Sequence, residues 1–219
     1  MYYIYCHKHP EYITKWNSIG ANRWNGAYYY SREIYKNIIP RIKTDRSWIT
    51  IKVGDHGADH SICFVHNNLR FEKTYSYMRR FRDVIFIVGL PDMVEKAQKF
   101  GPTIYLPLSV DVAEVEQYKT KKTKKRAFVG RKATRRDWKF EPGTEMIEGL
   151  PRQELLKEMA KFEEVYAIGR TAVEAKVLGC RVLPFHPRLP DPELWQIVDN
   201  KEAAGILQEE LDRIDGAFI

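Results

Sequence analysis

Cysteine is scarce in this chain. There are three in 219 residues, Cys6, Cys63 and Cys180, odd in number and far apart. That excludes a disulfide framework and points to free thiols in a reducing compartment. Two of them lie inside apolar, strand-like runs, where a buried free thiol is the ordinary condition. No apolar run approaches the roughly 20 residues needed to cross a bilayer. The opening residues, Met1-Tyr2-Tyr3-Ile4-Tyr5-Cys6, lack a basic n-region and a small-residue cleavage site, so no signal peptide is expected and the expected location is the cytoplasm. Glycine-rich phosphate signatures are missing too. The absence of a dinucleotide fingerprint argues against a nicotinamide dehydrogenase, and the absence of a Walker-type loop argues against a kinase of that kind. Ser31 and Ser61 sit in no nucleophile elbow, which leaves a hydrolase triad without support. Internal repeats and low-complexity segments are also absent.

What is present suffices for a core and leans basic. Apolar residues make up 44% and aromatics 13%, enough for one domain or two small ones. The net charge of +7 suits a phosphate-rich partner, either a nucleotide or a nucleic acid. Lys119 to Arg136 holds ten of the 36 basic residues and no acid. Its first part, to Lys124, reads equally as a solvated linker.

Strand and helix patterns alternate. Apolar or β-branched runs at Tyr2–Cys6, Trp48–Val53, Ser61–His66, Val84–Val88 and Thr103–Leu106 predict five strands. Ala27–Ile39, Phe71–Phe81 and Pro91–Phe100 predict the intervening helices, the last with Gly101 as its stop. The pattern restarts after the basic stretch. Strands are expected at Arg126–Val129, Glu145–Ile147, Glu164–Ile168 and Arg181–Phe185, with helices at Pro151–Lys161 and from Thr171 to Gly179. A proline-rich turn, Pro187–Pro192, precedes one or two amphipathic helices with Ile206, Leu207, Leu211 and Ile214 on one face. Such alternation implies an α/β protein with two Rossmann-like parallel-sheet domains. The expected domains are residues 1–118 and 119–219.

Several segments in the second half resemble GT-B glycosyltransferases. Lys125-Arg126-Ala127-Phe128-Val129-Gly130-Arg131 is similar to the first strand of that family's C-terminal domain, and Tyr105-Leu106-Pro107-Leu108-Ser109-Val110-Asp111 to its interdomain segment. Gly149-Leu150-Pro151-Arg152-Gln153-Glu154-Leu155 resembles its Gly-x-x-Pro-x-x-Glu-Leu segment. Thr171 to Pro184 resembles the helix whose glutamate grips the ribose of a nucleotide sugar. The small size and basic charge are also similar to short phage-encoded proteins of this type. The resemblance implies transfer of a sugar from a nucleotide-sugar donor, which is a substrate and not a cofactor. DNA bearing a modified base is a candidate acceptor, with a flipped base and Trp24 filling the gap. A second reading stays open. Eight residues before Glu174, where the family carries another glutamate, stands Tyr166. That favours a non-catalytic GT-B-like module that binds nucleic acid or a protein.

The candidate site residues follow. Glu174 either accepts from ribose hydroxyls or is a helix N-terminal acid placed by the dipole. Thr171 is the expected N-cap, with Glu174 as its capping-box partner. Gly169, Arg170 and Thr171 offer backbone N–H groups to a phosphate. By the resemblance, Arg131 and Arg136 neutralise the diphosphate leaving group; otherwise they belong to a basic surface loop. Gly20 and Gly26 bracket a loop, holding Asn22, Arg23, Trp24 and Asn25, that can approach a donor phosphate or an acceptor. His66 ends a strand and is the candidate general base or hydrogen-bond donor to the sugar, or a structural histidine. Asp55, His56, Asp59 and His60 have loose metal-ligand spacing but read better as a polar turn, and no metal is expected.

Overall fold

Uninterrupted apolar runs in this chain become strands covered on both faces, and such strands pair in parallel. The computed structural model describes residues 5–6, 33–50, 59–65, 78–130, 138–184, 186–187 and 189–216. Among them are strands β1 (Tyr5–Cys6), β2 (Ser47–Thr50), β3 (Ser61–Val65), β4 (Val84–Val88), β5 (Thr103–Tyr105), β6 (Lys124–Val129), β7 (Glu145–Ile147), β8 (Phe162–Tyr166) and β9 (Arg181–Leu183). The α-helices are α1 (Val94–Gln98), α2 (Val112–Glu116), α3 (Arg152–Met159), α4 (Arg170–Val177) and α5 (Asn200–Gly216). None of the described helices is long and apolar enough to cross a membrane.

The chain divides into two compact units. One holds Met1–Pro107 and Lys201–Ile219, and the other holds Leu108–Asn200. Each has its own sheet, so the protein is α/β with two Rossmann-like sheets of four parallel strands. The first sheet runs β1-β2-β3-β4-β5. Strands β2 to β5 are parallel, with Ile62 opposite Ile85 and Ile87 opposite Ile104. Every residue of β3 and β4 is buried, each Phe or Ile there contributing roughly 1.5–3 kcal/mol. Cys63 lies in this core, where burial pushes its thiol up to about 12 and leaves it inert. On α5, Ala203, Leu207 and Leu211 are buried.

Three features differ from the sequence expectation. Strand β1 pairs antiparallel with β2, as a short edge strand can without disturbing a parallel sheet. The end of the expected Ala27–Ile39 helix, where described, is a wide turn, Ile34–Ile38, closed by Ile39 N–H on Ile34 O. Pro40 follows inside a tighter turn, Ile39–Arg41, at a position whose missing N–H costs nothing. The third difference is the division of the chain. It falls at Pro107/Leu108 and not at 118/119, and the terminal helix returns to the first unit.

Candidate functional site

The second sheet runs β7-β6-β8-β9, all parallel. From β6 the chain steps outward to β7, then crosses back to β8 and β9. The winding direction therefore reverses between β6 and β8, and α/β sheets bind ligands at the carboxyl ends of strands at such a reversal. The first sheet has no reversal among its described strands. The chemistry is thus to be sought past Val129 and past Tyr166.

Past Tyr166 the chain makes a turn that only glycine tolerates. Gly169 has φ 59° and ψ −139° and is the residue from which α4 starts. Ala172 N–H and Val173 N–H both return to its carbonyl. Helix α4 therefore opens at Arg170, one residue before the expected cap. Thr171 is the second helical residue, not the N-cap, and Glu174 stands in the second turn with no acid in the first. The expected capping box does not form. The glycine stop does: Gly179 has φ 77°, its N–H meets Lys176 O at 2.9 Å, and Cys180 N–H meets Ala175 O at 2.9 Å. This is the Schellman pattern.

Glu174 is 4% exposed and does not stand alone. Its Oε1 accepts from Arg152 Nη1 of α3 and lies 3.1 Å from Arg170 Nε, one turn earlier on α4. Arg152 Nε also lies 3.8 Å from Glu114 Oε1 of α2. A buried carboxylate between two guanidinium groups is a compensated charge, costly to leave half made. The ribose role that the resemblance implies for Glu174 thus meets an oxygen already engaged twice.

Beside the Gly169 turn is a cavity of about 470 Å³, within the range of small-ligand sites. Ala167 and Ile168 before the turn, Leu183 and Pro184 at the end of β9, and Pro187, Leu189, Pro190, Asp191 and Pro192 line it. Trp138 and His186 face it as well, their rings 6.0 Å apart and tilted. Glu174 is not among the lining residues. The proline-rich rim is held in place: Lys176 Nζ donates to Pro192 O at 2.8 Å, and Asp191 Oδ1 accepts from Glu193 N–H at 2.8 Å. Behind the cavity, Phe140 packs 4.9 Å from Phe128 and 5.0 Å from Tyr166, ring centre to ring centre. Gly130 lies under this cluster, and a Cβ there would meet Phe128 Cζ at 2.7 Å. That gives a packing reason for the strand-Gly pattern.

Among the described residues of the basic stretch, Lys119, Lys124, Lys125 and Arg126 are paired with carboxylates. Lys124 Nζ lies 2.8 Å from both Glu145 and Glu158, and Lys125 Nζ lies 2.8 Å from Glu163. Arg126, Glu164 and Arg181 stand opposite one another across β6, β8 and β9, and Glu164 is bonded by both arginines. Arg181, with Arg126 adding to it against a smaller opposing effect of burial, holds Glu164 below the usual carboxylate range. Lys122 Nζ donates to Ala160 O and Leu178 O at 2.9 and 2.8 Å. Of the segment that reads equally as a linker, Lys122 and Lys124 are bonded into the second unit.

Of the other predicted site residues, His66, Gly20, Gly26, Arg131 and Arg136 lie outside the described residues, as do Asn22 to Asn25, Asp55 and His56. Asp59 accepts from Arg82 N–H at 2.8 Å, while His60 lies between Asp45 and Asp83. Among the described residues no three His, Cys, Asp or Glu side chains gather as a metal site.

Sequence reasoning missed Trp138, His186 and Arg152. The proline-rich turn was visible as a turn, but nothing local marked it as the rim of a cavity. Comparison with protein-family models, with curated proteins and with solved structures returns no match to this chain.

Proposed function

We propose that the second unit binds the nucleotide part of a nucleotide sugar in the cavity beside Gly169, and that the chain transfers the sugar to an acceptor. The observation that carries the reading is the coincidence of three features at one sheet edge. These are the reversal of winding between β6 and β8, a glycine-only turn opening a helix, and a cavity with two aromatic rings. A planar base stacks on Trp138 or His186. Helix α4 opens at Arg170, directly after the Gly169 turn, and the N-terminal end of a helix suits a phosphate.

In the transfer step an acceptor oxygen bonds to the anomeric carbon as the bond from that carbon to the diphosphate oxygen breaks. The nucleoside diphosphate leaves with the negative charge, which Arg131 and Arg136 neutralise. The acceptor proton passes to a general base. Glu174 holds α4 on α3 and so fixes the turn. DNA with a modified base remains the candidate acceptor. Lys124, Lys125 and Arg126 are engaged by carboxylates, which counts equally against a DNA acceptor and against a non-catalytic nucleic-acid module at these three residues.

Calorimetry with uridine, guanosine and adenosine diphosphates tests the proposal. Binding of at least one, weakened about tenfold or more in Trp138→Ala, is expected, since a lost stacking contact is worth roughly 1–3 kcal/mol. A folded protein that binds none of them removes the reading.

A further inference from the structure

The amino-terminal edge of the first sheet carries a charged cluster that plays no part in the proposed transfer. It lies immediately before β2, β3 and β4. The His60 ring stands between two carboxylates, with Nδ1 2.5 Å from Asp83 Oδ2 and Nε2 2.9 Å from Asp45 Oδ1. A neutral imidazole has one N–H and would turn a lone pair toward one of these anions. Only the imidazolium donates to both. Both His60 and Asp83 adopt left-handed backbone conformations, φ 51° and 54°, which side-chain-bearing residues adopt rarely. Three backbone bonds hold them there: Ser47 N–H to His60 O, His60 N–H to Arg82 O and Ser61 N–H to Asp83 O, at 3.0, 2.9 and 3.0 Å.

We propose that His60 is a pH-dependent clasp across this edge, closed when its imidazolium ties the Asp45 segment to the Asp83 turn and open when the ring gives up a proton.

The surrounding charges define how the clasp works. Hydrogen bonds donated to Asp45 and then to Asp83 raise the His60 pKa above its usual value, against burial and the nearby Arg46. Asp45 is held low chiefly by its bond to His60. Partial burial pushes Asp83 up, but His60 and Arg46 outweigh it and the net shift is downward. Asp59 is engaged separately by Arg82. The sign follows. A histidine whose folded pKa is raised contributes its full stabilisation below the unfolded value, near 6.5, and loses it as pH rises through the higher folded value. Arg46 offers an internal control. It stays charged throughout and bonds Asp83 Oδ1 at 3.0 Å and Asp215 Oδ1 of α5 at 2.6 Å. The end of α5 therefore keeps its anchor when the clasp opens.

Hydrogen exchange on the full chain at about pH 5.5 and about pH 8.5, corrected for intrinsic rates, tests the clasp. Peptides covering residues 44–47, 59–62 and 82–85 should open about two- to fivefold more readily at the higher pH, the scale of an exposed ion pair. Peptides from α5 should not change. In His60→Gln the pH dependence should vanish. Asp45→Asn, at an exposed position, should diminish it and lower the His60 midpoint read by NMR. Equal protection at both pH values, a His60 midpoint at or below about 6.5, or acceleration that includes α5 equally would overturn the proposal.

Discussion

Arg170 Nε and Glu174 Oε1 lie 3.1 Å apart, one turn from each other on α4, and Arg152 of α3 reaches the same carboxylate oxygen. The acid that stands out most in the sequence is thus the centre of a buried ion cluster. Its first effect is on the second unit's stability, and any effect on a ligand comes through the position of α4.

Replacing Glu174 with alanine leaves two guanidinium groups without that carboxylate. The second unit should lose about 3–5 kcal/mol, the cost of breaking a buried ion pair from one side. Denaturant unfolding monitored by tryptophan fluorescence would read this. If Glu174 acts only through α4, Glu174→Gln should lower nucleotide affinity no further than its loss of folded protein accounts for.

Gly169→Ala tests the turn. The nearest side-chain atom to a Cβ there is Leu108 Cδ1 at 3.8 Å, an ordinary contact. The cost is therefore backbone strain, about 1–3 kcal/mol. The expected result is a lower melting temperature together with weaker nucleotide diphosphate binding in calorimetry.

Gly130→Ala should also destabilise, for a different reason. Its Cβ would sit 2.7 Å from Phe128 Cζ, so the ring must move, at about 1–3 kcal/mol of overpacking. Phe128→Leu removes the obstructing atom. A double-mutant cycle should then show that the alanine costs less in the leucine background. Independent costs would mean that the glycine serves something other than this contact.

Acid should weaken the second unit through Glu164. Its folded pKa is lowered by Arg181 and Arg126, so its contribution is full above the usual value, near 4.5, and is lost as pH falls through the folded value. The melting-temperature difference between the wild type and Glu164→Gln should be largest near neutrality and shrink at acid pH. A difference that stays constant with pH would count against the carboxylate as its source.

The fold was legible where one residue type carries one meaning. The apolar runs at Val84–Val88 and Ser61–Val65 are strands within a residue of the expected bounds, because runs this short and rich in β-branched and aromatic residues fit a strand covered on both faces. Gly179 stopped α4 as a glycine in a Schellman turn should. Legibility failed where partners lie far along the chain. Lys124 and Lys125 look like a solvated run until Glu145, Glu158 and Glu163 are placed beside them. The amphipathic face of α5 showed that Leu207 and Leu211 would be buried, but not in which unit. At the candidate site, Gly169 was read as a donor of N–H groups, while its positive φ moved the helix start and displaced Thr171 from the cap.

The second unit begins and ends at one place. Val110 pairs with Asp199 as a short parallel bridge, and Ser109 Oγ donates to Asn200 Oδ1 at 2.8 Å in the interior. In topology that unit is an insert spliced into the first. Helix α5, whose Leu207 and Leu211 complete the first unit's core, leaves the ribosome only after the whole insert has been synthesised. The lobe translated first must wait with an open hydrophobic face for the segment translated later.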